Sequence, residues 1–74
     1  MNELSLKAKM LAIALWQEQL DRGLGDPDEV ASEDRLGGWL GNRVYGLDVL
    51  EAAADGDVES LVRVRYEAGL PPFS

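Results

Sequence analysis

The chain has 74 residues, with 14 acidic side chains against 7 basic ones, no cysteine and no histidine. That inventory removes disulfides, thiolate chemistry, Cys/His zinc sites and histidine general-base catalysis, and a net charge of −7 argues against tracking a phosphate backbone, which needs clustered Lys and Arg. A chain this short buries only about 60% of its unfolded surface, so one domain is expected, with a stability of roughly 3–5 kcal/mol that a partner or a second copy would supplement.

Lys7 and Lys9 ahead of the apolar run at residues 10–16 superficially resemble a signal peptide. The run is too short to span a bilayer and leads into Gln17, Glu18, Gln19 and Asp21 instead of a small-residue cleavage site, so a cytoplasmic location is expected. Good helix formers predict a first helix over about 3–22, capped by Asn2 or Ser5 and stopped by Gly23 and Gly25. Its apolar residues fill two sides. Leu6, Met10, Ile13 and Leu20 share one, Ala8, Leu11, Ala12 and Leu15 the opposite one, and Trp16 lies between. Such a helix needs cover from more than one direction, either as the centre of a bundle or against another chain.

Asp26, Pro27 and Glu29 have the order of N-cap, first helical position and capping-box partner, and predict a helix start at Val30 and Ala31. That helix either continues through Leu36 or restarts at Ser32. Leu36, Trp39, Leu40, Arg43, Val44 and Leu47 follow at helical spacing, although Gly37, Gly38 and Gly41 each cost about 1 kcal/mol against Ala. These glycines share one side of the wheel, where another helix backbone could approach closely; a bent or broken helix across 36–46 fits equally well. Further on, Asp48 is placed to cap a short helix with Val49, Leu50, Ala52, Ala53 and Ala54 as its apolar residues, and Gly56 to end it. Asp57 caps a last helix over 58–68, with Leu61, Val62, Val64 or Arg65, and Tyr66 buried. Gly69 ends that helix, Leu70 folds back against its last turn, and Pro71 and Pro72 forbid continuation. No strand pattern of useful length appears. The expected fold is all-α: a compact bundle of four or five short helices with a C-terminal helical hairpin.

Ala52 and Ala53, Gly56, Val58 and Glu59, Leu61, and Glu67, Ala68 and Gly69 together make this hairpin resemble the helix pair of an ankyrin repeat. The resemblance covers residues 48–69. It departs from the family where Leu47, Asp48, Val49 and Leu50 replace the Thr-Pro-Leu-His opening, and no second copy follows in the chain. It implies protein binding without catalysis.

Asp26 with Asp28, and Asp55, Asp57 and Glu59, alternate like the start of a calcium loop. Both lack the glycine at the sixth position, held by Ala31 and Ser60, and the acid at the twelfth, held by Gly37 and Tyr66, so no metal is expected. The glycines at 37–41 lack the Lys and Ser/Thr of a phosphate loop and follow no strand. A short helical chain has little room for a catalytic cleft, so neither enzyme activity nor a cofactor is expected.

Charge is more informative in its distribution than in its sum. Residues 26–34 hold five acids and no base, residues 48–59 hold five more and no base, and the remainder carries a net +3. The expected partner is a protein with a basic surface, attracted by Asp55, Asp57 and Glu59 and locked by apolar or aromatic residues around Trp39, Arg43 and Tyr45, with Phe73 as a further contact. That describes a small regulatory or inhibitory protein of bacterial or phage type acting by occlusion. Direct nucleic-acid or membrane binding is not expected. Two competing expectations are a nucleic-acid mimic, whose carboxylates imitate a phosphate track, and a homodimer or larger homo-oligomer built on the first helix's second apolar face.

Overall fold

The computed structural model describes residues 4–41, 43 and 46–72. The readings that fall on Asn2, Glu3, Val44, Tyr45 and Phe73 lie outside these residues. Among the described residues the fold is all-α, with helices α1 (Leu6–Asp21), α2 (Leu36–Gly41), α3 (Leu47–Ala54) and α4 (Val58–Glu67), and a 3₁₀ turn at Glu33–Arg35 leading into α2. No helix among them is long and apolar enough to cross a membrane.

Local chemistry sets the ends of α1. Ser5, with φ −64° and ψ 161°, caps the helix by accepting from the Ala8 N–H at 3.1 Å. At the other end Gly23 takes φ +75°, which lets the Gly23 N–H reach Leu20 O at 3.1 Å and the Leu24 N–H reach Gln19 O at 2.8 Å. This two-bond closure satisfies carbonyls that the last turn would otherwise orphan. Gly56 and Gly69 repeat it, with the Asp57 N–H on Ala52 O at 3.0 Å and the Leu70 N–H on Arg65 O at 2.9 Å. The helix stops expected at Gly23, Gly56 and Gly69 are therefore present, and Leu70 folds back into the core.

The helix expected from Asp26 does not form. Asp26 Oδ1 accepts from the Asp28 N–H at 2.9 Å and Asp26 O from the Glu29 N–H at 3.0 Å, so the side chain closes a turn instead of capping a helix. The reason lies in the path the chain must take. It leaves α1 beyond Asp21 and by Glu33 is back at Lys9, a return of about 18 Å along the helix axis. Residues 22–32 make that return together, with a turn at 26–29 and no helix. Helical structure restarts after Ser32, the second of the two expected starting points.

Three further expectations are corrected. α3 begins after Gly46, which makes no side-chain cap, and Asp48 sits inside the first turn, where its charge faces the positive end of the helix dipole. Tyr66 is 77% exposed; it follows Val64 by about 200° around the helix, and Val64, Arg65 and Ala68 take the buried side. The glycine side of α2 meets no neighbouring backbone: a Cβ at Gly37 or Gly41 would find nothing within 4 Å.

α3 and α4 form the expected hairpin, α1 packs across α3, and α2 leans on α1. The core is built from Ala8, Ala12, Leu15 and Trp16 of α1, Leu36 and Trp39 of α2, Leu50 and Ala53 of α3, and Val64, Ala68 and Leu70. Small alanines on α1 let α3 come close, and the two indoles stack with centroids 6.0 Å apart and planes 17° from parallel. The second apolar side of α1 is covered only in part. Ile13 and Leu20 are partly buried, but Leu6 is 72% and Met10 63% exposed.

Candidate interaction surface

Among the described residues, those expected to form a binding site are not gathered into one. Trp39 belongs to the core at 8% exposure, its indole N–H donating to Gln19 Oε1 at 2.9 Å. Arg43 lies over that indole, 4.3 Å from the ring centroid, and its Nε donates to Trp39 O at 3.2 Å. Trp39 is thus roofed by its own chain and is not a free anchor. Asp55, Asp57 and Glu59 occupy the turn between α3 and α4. Asp55 reaches Lys7 at 3.9 Å, Asp57 caps α4 by accepting from the Ser60 N–H at 3.2 Å and from the Ser60 hydroxyl, and Glu59 is exposed in the first turn. Lys7 and Gln19 mark these two groups along α1, and the twelve helical steps from one to the other set their attachment points about 18 Å apart.

Sequence reasoning missed the polar frame that holds the helices in place. Gln19 is buried among apolar side chains, and while its Oε1 accepts from Trp39, its Nε2 donates to Ala68 O at 2.7 Å. One amide thereby ties α2 and the end of α4 to α1. Beside it, the buried Arg65 guanidinium makes a two-pronged pair with Glu18, at 3.0 and 2.8 Å, while its Nε donates to Pro71 O at 2.6 Å. The Arg65 hydrogen bonds hold the Glu18 carboxyl below its ordinary pKa against an opposing effect of burial, and Arg22 adds to the lowering. The two bonds from Arg65 also fix the orientation of the Glu18 carboxylate.

The two acidic blocks meet at the start of α1. From the first, Glu33 pairs with Lys9 at 3.2 Å. From the second, Glu51 accepts from the Ser5 hydroxyl at 2.6 Å and from the Ser5 N–H at 2.8 Å, and Asp55 reaches Lys7. The Ser5 hydroxyl, and then its N–H, holds the Glu51 carboxyl below the ordinary range. Asp26 and Asp28 instead follow the opposite end of α1, so the blocks share an end of the bundle only through Glu33, Glu51 and their neighbours.

Between the start of α1 and α2 runs a groove of about 270 Å³, lined by Leu4, Leu36, Gly37 and Leu40 with the Lys9 and Glu33 pair along its edge. The exposed Leu6 and Met10 share the α1 side next to Lys9. Their signal in the sequence was the all-round apolar character of the first helix; the groove itself had none, because it depends on how α1 and α2 are placed. No family model, curated protein or solved structure matches the chain.

Proposed function

We propose that the protein is a non-enzymatic, acidic protein-binding module that regulates or inhibits its partner by covering a basic surface. The observation that carries this reading is the combination at the start of α1: Leu6 and Met10 left exposed by their own chain, with Glu33, Glu51 and Asp55 drawn in from both acidic blocks. Exposed apolar side chains supply the contact that excludes water, and the surrounding acids supply attraction and orientation toward a cationic surface. The ankyrin-like hairpin favours the same class of function. A nucleic-acid mimic needs a row of free carboxylates along one face, whereas Asp57 is engaged in capping α4 and Asp26 closes a turn at the opposite end of α1, which favours the mixed apolar and acidic surface.

The test is capture of a partner by the tagged protein at low and high salt, with two variants. Neutralising Asp48, Asp55 and Glu59 together leaves the Asp57 cap and the Glu51 bond intact; it is expected to slow association and reduce the salt dependence without abolishing capture. Leu6→Ser with Met10→Ser is expected to abolish capture. Capture that survives the serine pair, or a partner held only through the carboxylates, refutes the reading.

A further inference from the structure

Beyond the protein-binding reading, and independent of it, we infer that α2 is a lid: it opens as a unit from an otherwise folded bundle, lifting Trp39 off Trp16 and baring the side of α1 beneath. The sequence keeps this helix weak. It has six residues, and three of them are Gly37, Gly38 and Gly41. A Cβ at any of the three would meet nothing within 4 Å, and none takes the positive φ that sets Gly23, Gly56 and Gly69 apart. Neither packing nor backbone geometry therefore calls for glycine here. What an interior glycine does is lower the helical population, by about fivefold against alanine at each position. A helix well under about 12 residues does not hold its shape alone in water, so α2 unwinds once it leaves α1.

The attachment is as local as the weakness. Among the described residues α2 buries only Leu36 and Trp39, and it packs chiefly against α1 and the 3₁₀ turn that precedes it. Trp39 supplies the directed contacts: its ring lies 6.0 Å from that of Trp16, and its indole N–H reaches Gln19 Oε1 at 2.9 Å. Arg43 lies over the same indole and donates to the Trp39 carbonyl, so this cover moves with α2. The rest of the core joins α1 to α3, α4 and Leu70 without passing through α2. When Trp39 leaves, the Gln19 Nε2 bond to Ala68 O at 2.7 Å remains. Opening thus removes one edge of the core and leaves Trp16 and an oriented amide acceptor facing solvent.

The experiment is hydrogen exchange on the folded full chain, followed by NMR at two sets of sites. One set is the Trp39 indole N–H with the Leu40 and Gly41 amides; the other is the Leu15 and Val64 amides of the bundle. The α2 set is expected to exchange together and, corrected for intrinsic rate, at least about tenfold faster than the bundle set. Asp57→Ala removes the α4 cap and is expected to speed the bundle set about fivefold while leaving the α2 set unchanged. Gly37→Ala with Gly38→Ala is expected to slow the α2 set about tenfold or more. Equal rates in the two sets, or an Asp57→Ala change that moves both alike, would mean that α2 opens only when the whole chain unfolds, and either result overturns the lid. A fast indole N–H beside slow Leu40 and Gly41 amides confines the motion to the Trp39 ring and overturns it as well. So does an alanine pair that leaves the α2 set unmoved. None of these outcomes bears on capture of a partner, which the Leu6 and Met10 serine variant decides.

Discussion

Replacing Gln19 by leucine keeps the size of a buried side chain and removes both of its hydrogen bonds. The Trp39 indole N–H, held at 2.9 Å, loses its acceptor, and the Ala68 carbonyl, held at 2.7 Å, loses its donor. Trp39 and Ala68 are both buried, so water does not readily replace the amide. An orphaned buried polar group costs about 1–3 kcal/mol, two of them about 2–6, and the added apolar burial of leucine returns about 1. A net loss of about 1–5 kcal/mol, centred near 3, is a large share of the roughly 3–5 kcal/mol available to a core of this size. At about 4–8 °C per kcal/mol, a loss of about 3 kcal/mol lowers the thermal midpoint by about 12–24 °C. Urea unfolding followed by circular dichroism and by indole fluorescence measures the change, with coincident transitions licensing the free energy. Combining the variant with Trp39→Phe, which removes the orphaned donor, is expected to cost about 1 kcal/mol less than the two single losses together. A Gln19→Leu protein within about 0.5 kcal/mol of the parent would refute the view that this amide ties the helices together.

The pair between Glu18 and Arg65 makes stability depend on acid. A carboxyl whose pKa is lower folded than unfolded stabilises the fold above its unfolded value, and that contribution is lost as pH falls from the ordinary 4.5 through the folded value. Stability measured between pH 7 and pH 3 is expected to stay level and then drop, with a shallower drop in Glu18→Gln; an unchanged slope in that variant removes Glu18 as a source. Arg65→Met leaves the Pro71 carbonyl and the Glu18 carboxylate without their guanidinium, and about 2–4 kcal/mol of stability is expected to go with it in a denaturant titration. Gly69→Ala forces a Cβ onto φ +75° and is expected to cost about 1–2 kcal/mol, whereas Gly37→Ala, in open space inside a helix, is expected to gain up to about 1 in the same assay. Asp57→Ala removes a working cap and is expected to cost about 1 kcal/mol, while Asp26→Ala costs less than about 0.5 because no helix starts there; equal losses would mean that residues 26–32 do form a helix.

Residues 47–70 were legible because their structure rests on local chemistry. Gly56, Asp57 and Gly69 each act within a few residues of themselves, and the hairpin follows from them whatever surrounds it. Residues 26–35 were not, because their conformation answers to a distance set elsewhere: the chain must return from the end of α1 to Lys9, and a correct capping pattern cannot override that span. Gln19 was illegible for a related reason. A glutamine on an apolar stripe is an interruption until Trp39 and Ala68, 20 and 49 residues further on, are seen to converge on it. The candidate site divides in the same way. The exposure of Leu6 and Met10 follows from a helix with more apolar surface than one neighbour covers, while the burial of Trp39 depends on Trp16 and Arg43 closing over it from outside its own helix.

The acidity that dominates the composition serves two ends, and the structure separates them. Asp57 caps α4, Asp26 closes the turn after α1, Glu51 holds the start of α1 through Ser5, and Glu33 ties the 3₁₀ turn to Lys9. These bonds act at short range on groups of their own chain, so neutralising Asp57 or Glu51 disturbs the fold as well as any partner. Asp34, Asp48 and Glu59 are exposed and hold no such partner among the described residues. They act on a partner only through the field they add, which falls off over roughly 8 Å at physiological salt. An encounter steered by such a field must be completed by contacts that salt does not screen. Among the described residues the groove floor and the side of α1 carrying Leu6 and Met10 offer those contacts together with a carboxylate at their edge, which is why the acids alone are a poor guide to where the partner sits.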